Sequence, residues 1–515
     1  MTLAGTSRFV GTADFGGGAD TLTLTGTSVF SGSLANAGNL AVKVTGGMLD
    51  VNKPTAIGSL DVGKDGVLAV TLNKAAGQGS AYNVAGTASF ADGAKLAIKL
   101  ADVSTAEGSY QVLTAGTILG RDKLKAATDL VPFMFKATLN DAAAANTVVV
   151  DVARRTVAEL GLNRSQATAY NAIFAALGQD EKIEDVFLGI TNGDQFRQAV
   201  GQMLPDHAGG SFEGLSLGTR TVARQLMDPV NPVWGEGRFS TTMNLSFWGS
   251  EKKAGASAAY NLQGYAMSLG AEYLTGIGRF GGTFSYLWNR HTSGGASEIK
   301  SNSFELAGHW RGQFGALQSY GRASIGRSSH DSERQFIGAI GSENVSRTIK
   351  GKWNGTFVTA SGGASYEGGG SHFFYRPAVT VDYVRLKEDG YSETGGGKAL
   401  DLTVASRTSD ELGVNGGLTL GIDFMGMQRR DENWFRVETE GGWREIVSGG
   451  IGSTTAHFAA GQNFTLDGDE ATSGWFARLR AVGGTLGLTM GGELSAEDRH
   501  GHVDLALRGS VTIGW

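Results

Sequence analysis

The last thirteen residues, VDLALRGSVTIGW, hold a period of two to the end of the chain. Val503, Leu505, Leu507, Val511, Ile513 and Trp515 fall on one face of an extended strand, and Asp504, Arg508, Ser510 and Thr512 on the other. A strand that closes on an indole suits a transmembrane barrel, whose apolar band is bounded by aromatic girdles. Eleven more alternating segments precede it, giving twelve near residues 233–250, 257–275, 279–291, 298–313, 315–334, 346–367, 372–388, 405–425, 433–447, 473–482, 484–495 and 502–515. An even number is what a closed single-chain antiparallel barrel requires.

In each segment one parity is apolar: Phe280, Phe284, Tyr286 and Trp288 in the third, Phe373, Tyr375, Val379, Val381 and Tyr383 in the seventh. The opposite parity carries Glu272, Glu305, Arg311, Arg376, Asp382, Arg436, Glu438, Glu440, Arg478, Arg480 and Arg508. Alternation alone does not choose between a soluble sheet, which buries the apolar set, and a membrane barrel, which turns it to lipid. Aromatic clustering at segment ends, the even count and Trp515 choose the barrel, with the charged set lining its lumen. Short joints such as 275–278 and 368–371 alternate with longer ones such as 335–345 and 448–471; the short side is expected to be periplasmic.

Upstream the character changes. Residues 1 to about 150 are short Val/Leu/Thr/Ala runs between glycines, and Gly26, Gly46, Gly66 and Gly86 are spaced by 20 residues. That spacing fits the rung of a β-solenoid, in which each coil buries its apolar positions against its neighbours. The more apolar stretches SYQVLTAGTILG, LVPFMFKATL and TVVVDV read as a cap on its open end. GGGAD at Gly16 to Asp20 reads as a turn, since a calcium repeat needs stacked copies. From Asn163 the period becomes 3.6: Asn163 with Gln166 makes a capping box, and apolar stripes follow at Tyr170, Ile173, Phe174, Leu177, at Ile183, Val186, Phe187, Ile190, and at Phe196, Ala199, Val200, Met203. These three helices are expected to pack on one another or on the cap. After LPDHAGG, a helix over Ser211 to Asp228 has a mostly small or polar surface, including Gly214 and Gly218, with Arg220 and Arg224 one turn apart. Such a helix suits a polar tube better than an oily core.

From about Ala81 onward the chain resembles the carboxy-terminal region of bacterial autotransporters, the type V secretion translocators. LTAGT with PFMFKATL, LNRSQATAYNAIFAALG, MLPDHAGGSFEG and the terminal aromatic strand carry the resemblance. It implies a β-helical passenger over 1–153 with an autochaperone-like end, a helical linker over 154–230, and an outer-membrane barrel over 231–515. Ser211 to Asp228 would be the pore helix, its Arg220 and Arg224 facing lumen carboxylates such as Glu438 or Glu440. Val511, Ile513 and Trp515 would be the signal read by the barrel-assembly machinery, with periplasmic chaperones as further partners. Some members cleave themselves at an Asn pair in the pore helix; no Asn pair occurs between Ser211 and Pro232.

The fold class expected is therefore mainly all-β: a β-solenoid fragment, a short helical linker, and a twelve-stranded antiparallel transmembrane barrel with a helix in its pore. A net charge of −6 gives no footprint for nucleic acid, and the absence of cysteine removes disulfides and thiolate metal sites. GLSLG at Gly214 to Gly218 fits GxSxG and GIGRFG at Gly276 to Gly281 fits GxGxxG, but the first lies in an expected helix and the second opens a strand. Asp206 and His207 point apart on an extended segment, and His500 with His502 lacks a third ligand nearby. No catalytic residue, metal site or cofactor is expected. The expected protein is a monomeric translocator in outer-membrane lipid with its passenger at the cell surface, its export signal lying upstream of Met1. A passive outer-membrane pore with a periplasmic amino-terminal domain, or the anchor of a surface adhesin whose distal part is missing, stay open as alternatives.

Overall fold

The computed structural model describes residues 1–73, 81–127, 131–227, 237–255, 257–293, 296–426, 433–470, 472–485, 487–499 and 501–515. They divide into two compact units, one of Met1–Leu162, Tyr170–Gly201 and Ile337–Ser346, the other of Asn163–Ala169, Gln202–Phe336 and Arg347–Trp515.

In the first unit the Val/Leu/Thr runs pair in parallel. Thr2 lies beside Thr23, Thr21 beside Ala41 and Ala41 beside Ser59, so the chain returns every 18 to 21 residues. Leu22, Val42 and Leu60 form one interior column and Leu24, Val44 and Val62 another, all at most 1% exposed. This is solenoid packing, in which a coil's apolar residues are covered only by the coils above and below. Gly47 marks a close approach between rungs: its φ is +75°, and a Cβ there would stand 2.2 Å from the Ser28 carbonyl oxygen. The 20-residue register stops before Gly86, whose amide donates to the Gly58 carbonyl. Strand Ser59–Leu72 runs on for 14 residues, and the next pairings, Leu60 with Ala88 and Val67 with Lys95, skip 28 residues. Asp14 and the left-handed Gly16 and Gly17 make the GGGAD stretch a turn, with the Gly16 amide donating to Asp14 at 2.9 Å.

Tyr82 pins this lengthened rung. Its hydroxyl is fully buried and lies 3.0 Å from the carbonyls of both Leu49 and Ala69, and burial pushes the phenol well above its usual pKa. Removing the hydroxyl leaves both carbonyls in an apolar interior without it. Tyr82→Phe is therefore expected to lower the solenoid's unfolding free energy by about 1–3 kcal/mol in a urea titration followed by circular dichroism. An unchanged midpoint would mean that water reaches these carbonyls.

The cap differs in direction from the coils. Gly108–Leu119 pairs antiparallel with Thr147–Arg154, which pairs antiparallel with Phe135–Leu139, ending the parallel series. Among the described residues five α-helices follow: α1 (Val157–Leu160), α2 (Arg164–Leu177), α3 (Glu181–Gly189), α4 (Gly193–Gln202) and α5 (Gly210–Ala223). The sequence reading missed α1, which is one turn long and held by its own capping box between Thr156 and Glu159. Asn163 and Gln166 cap α2 reciprocally, amide to side chain, at 3.2 and 2.9 Å. The three stripes meet on each other and on the cap at once: Phe196 of α4 lies against Tyr170, Phe187 and Phe133, and Phe174 against Phe135.

The second unit contains twelve long strands, β1 (Phe239–Lys252), β2 (Tyr260–Thr275), β3 (Gly278–Ser293), β4 (Ser297–Phe314), β5 (Leu317–Ile340), β6 (Glu343–Tyr366), β7 (Phe373–Glu388), β8 (Arg407–Asp423), β9 (Asn433–Gly450), β10 (Gly474–Thr485), β11 (Leu488–Arg499) and β12 (His502–Gly514). Neighbours in sequence pair, β6 pairs with β7, and β12 returns to β1, so the sheet closes. Closure satisfies every backbone edge, as hydrocarbon demands. At the seam Val511 pairs with Met243 and Ile513 with Thr241, while Trp515 exchanges two backbone bonds with Phe239. The joint expected at 335–345 is instead strand almost throughout, because the alternation of β5 and β6 continues to a tight turn at Gly341. The joint expected at 448–471 also holds strands: Thr454–His457 and Asn463–Leu466 join Tyr391–Ser392 and Thr403–Val404 in a separate four-stranded sheet built by two long loops. The expected barrel start at 231, with Asp228, Pro229 and Pro232, lies outside the described residues.

Candidate functional site

The barrel is inside out. Leu269 is 63% exposed, Leu306 62% and Met490 55%, whereas Arg279 is fully buried and Arg436 and Glu438 are 1% exposed. Paired aromatics ring both ends of the outer face: Tyr265 with Trp288 and Tyr286 with Phe304 at the long-loop end, Phe239 with Tyr273 and Phe424 with Phe435 at the short-turn end. Apolar wall outside and charge inside is the arrangement for lipid surroundings, and it resolves the parity left open by alternation.

The lumen is filled by α5. Every residue of this helix except Arg220 is buried, and Gly210, Gly214 and Gly218 carry no side chain. Three glycines one turn apart explain how it fits. A Cβ on Gly210 would stand 2.3 Å from the His291 ring, one on Gly214 2.7 Å from Asn289 Oδ1, and one on Gly218 2.7 Å from the Trp248 ring. One face of α5 is thus pressed against the inner wall of β1 to β3. Its larger residues fill two apolar patches, Leu217 and Val222 with Trp248 and Leu287, and Phe212 and Leu215 with Phe357, Val384 and Leu386. The lumen is therefore less uniformly polar than alternation implies. The signal was present in β1, where Trp248 stands on the same parity as Ser240, Thr242, Asn244 and Ser246.

A second face of α5 is held by charge. Glu213 meets Arg499 at 2.7 Å, Arg220 meets Glu497 at 2.7 Å, and Arg224 meets Glu493 at 2.9 Å and the Ser495 hydroxyl at 3.0 Å. Glu493, Ser495, Glu497 and Arg499 are successive lumen-facing positions of β11, so helix and strand run antiparallel with complementary charges. Sequence reasoning named the two arginines but not these partners. The carboxylates it named are already engaged: Glu438 by Arg376 and Arg480, and Glu440 by Arg478. The α-helix ends at Ala223 and tightens into a 3₁₀ turn over Arg224–Met227; the expected end at Asp228 lies outside the described residues. Together the two pieces span roughly 29 Å, comparable with the height of a barrel's apolar band.

The other charges expected in the lumen are paired along its wall, between strands that neighbour one another or lie one apart. Arg311 meets Glu272 at 2.6 Å, Arg322 meets Glu305 at 2.7 Å, and Arg376 meets Glu438 at 2.7 Å. Arg436 bridges Glu367 and Asp423 at 2.9 and 3.1 Å, Arg444 holds Asp382 at 2.7 Å, and Arg480 and Arg508 converge on Glu493. Arg322, Asp423, Arg444 and Glu493 were overlooked, though each sits on its strand's polar parity, as was Glu367 in the joint after β6. A buried pair that loses one partner strands the other charge. A double-mutant cycle of Arg220→Met and Glu497→Gln, read by urea unfolding in micelles, is expected to give a coupling of about 1–3 kcal/mol. Arg220→Met with Glu440→Gln should give almost none.

The chain enters the lumen at the long-loop end. Asp206 is fixed there by Arg407 at 3.3 Å, its carbonyl oxygen accepts from Arg407 and from the Thr454 hydroxyl, and His291 stands 3.7 Å away. The His207 ring turns to the Pro205 carbonyl and not to Asp206. Ser216 of the GxSxG match is buried within α5, not at a strand-to-helix elbow, and Gly276 precedes a strand. His500 lies outside the described residues, and His502 stands 3.4 Å from Asp504.

Residues 245–497 match the model of the autotransporter beta-domain family. No curated protein matches the chain. Among solved structures it is similar to the translocator domain of the autotransporter NalP from Neisseria meningitidis, at 17% identity, with 58% of this chain and 96% of that one covered and a TM-score of 0.45. It is also similar to the beta domain of the Bordetella autotransporter BrkA, at 13% identity, 54% and 99% coverage and a TM-score of 0.37. The transport unit of AIDA-I from Escherichia coli aligns at 11% identity, 59% and 99% coverage and a TM-score of 0.36.

Proposed function

From the premise that residues 245–497 belong to the autotransporter beta-domain family, we propose that this outer-membrane barrel exports the chain's own amino-terminal solenoid and anchors it at the cell surface. One observation carries the reading. The segment ahead of β1 runs through the lumen from the long-loop end, where Asp206 is fixed, to the short-turn end, where Arg224 meets Glu493 and β1 begins. The chain thus enters the lumen from the long-loop mouth, which by barrel convention faces outward.

The chemistry needed is topological, since no bond is made or broken. A polar lumen lets a polar chain pass the apolar band without meeting lipid, which would cost several kcal/mol for each unpaired backbone group. Once the solenoid's interior columns form outside, their burial opposes return, so the folding free energy of the exported part supplies direction. The helix left in the lumen is then the last exported segment, stopped by its glycine face and its three charged contacts. A passive pore fits less well, because α5 occupies the space a solute would need.

The test places an epitope tag and a secretory signal ahead of Thr2, in a Gram-negative cell. Protease added to intact cells should remove the tag and leave the barrel whole. A tag protected until the outer membrane is permeabilised would put the solenoid in the periplasm and refute export.

A further inference from the structure

The outer face carries a charge asymmetry that the translocator reading does not use. On each strand the first lipid-side charge beyond the apolar band at the long-loop end can be read from the alternation. On β3 to β7 these are Arg290, Lys300, Arg327, Lys352 and Arg385, five adjacent strands with five cations. On β8, β9, β11 and β1 the corresponding residues are Asp410, Glu445, Asp498 and Glu251. One arc of the barrel is therefore basic, whereas β8, β9, β11 and β1 carry acids.

The arc is a contiguous surface. Register places Arg290 beside Lys300 and Lys300 beside Asp331, while Phe304, inside the aromatic girdle, lies beside Arg327. Glu298 holds Arg290 and Lys300 at 2.5 Å each, and Asp331 holds Lys352 at 2.6 Å, which orients these side chains without consuming all their donors. Arg327, Arg385 and its outward neighbour Lys387 are exposed and have no acidic partner among the described residues. Beneath them lie Trp288, Phe304, Ile325 and Tyr383 of the apolar band.

We propose that this arc is a binding surface for phosphate groups on the headgroup of an outer-leaflet lipid, the acyl chains lying on the aromatic and aliphatic wall below. Charge complementarity selects the occupant: arginine forks suit phosphate oxygens, and an anion at the membrane surface gains from every nearby cation. The height selects a lipid over a soluble anion, since the cations begin where the girdle ends. The acidic sector repels the same headgroup, so lipid is held on one side of the barrel only. The inference rests on the outward orientation of the long-loop end, but its test is read on purified protein and does not depend on export.

The experiment is native mass spectrometry of the full chain in detergent micelles with bisphosphorylated lipid A. The wild type should retain this lipid, and the triple variant Lys300→Glu, Arg327→Glu, Arg385→Glu should bind about tenfold less or weaker still. Reversing the acidic sector with Asp410→Lys and Glu445→Lys should not reduce binding, and lipid A stripped of its phosphates should not be retained by the wild type. Equal retention by the triple variant, equal binding of the dephosphorylated lipid, or displacement by the same concentration of inorganic phosphate would each overturn the proposal.

Discussion

Gly218→Leu is expected to drive α5 out of the barrel or to stop the barrel from closing around it. A Cβ at this position would stand 2.7 Å from the Trp248 ring and 2.9 Å from a Leu287 methyl, and leucine adds three further carbons along that direction. Overpacking in a core costs about 1–3 kcal/mol when the surroundings relax. Here relaxation is restricted, because β1 and β3 belong to a closed sheet and Gly214 and Gly210 pin the same helix face one and two turns away. The readout is trypsin cleavage after Arg220 and Arg224 in micelles. Wild-type protein should resist, since Arg224 is buried and Arg220 nearly so; the variant should be cut. Gly509→Leu supplies the contrast: this glycine lies in β12 and faces lipid with nothing within 4 Å of a Cβ, and resistance should be retained. Resistance in both variants would remove the glycine face as the reason the helix fits.

Deleting Gly210–Met227 is expected to convert a nearly closed barrel into an open one. Eight-stranded barrels fill their interior with side chains and sixteen-stranded ones leave a water channel; twelve strands fall between, with room for one helix. Without α5 the carboxylates of Glu493 and Glu497 and the guanidinium of Arg499 lose their helix partners and must take water instead. Planar-bilayer recordings should then show large, steady conductance where the full chain shows little. Large conductance from the full chain, unchanged by the deletion, would favour the passive pore.

Much of this architecture is legible in the residues because a barrel strand writes its two faces in alternate letters. Phe280, Phe284 and the charged Glu305 and Arg311 declare their sides without any tertiary information. The pairing of charges is not declared. Arg220 finds Glu497 and not Glu438 because the angular position of α5 is set by Gly210, Gly214 and Gly218 against β1 to β3, a packing fact that no local pattern encodes. The extension of β5 and β6 was hidden for a different reason: the run GAIGSEN around the turn at Gly341 reads as loop, although one strand continues to Ile340 and the next resumes at Glu343. The rung length drifted after Gly66 because coil-on-coil packing fixes which residues are buried, not how many lie between turns.

The seating of α5 against β11 can be measured directly, since the chain has no cysteine of its own. Arg220→Cys with Glu497→Cys, treated with a short bis-maleimide in the folded state, should yield an internally crosslinked band of altered mobility after denaturation. Arg220→Cys with Leu494→Cys should not, because Leu494 is 52% exposed on the lipid side of the same strand. A crosslink that forms with Leu494 as readily as with Glu497, or with neither, would contradict a helix held inside the barrel.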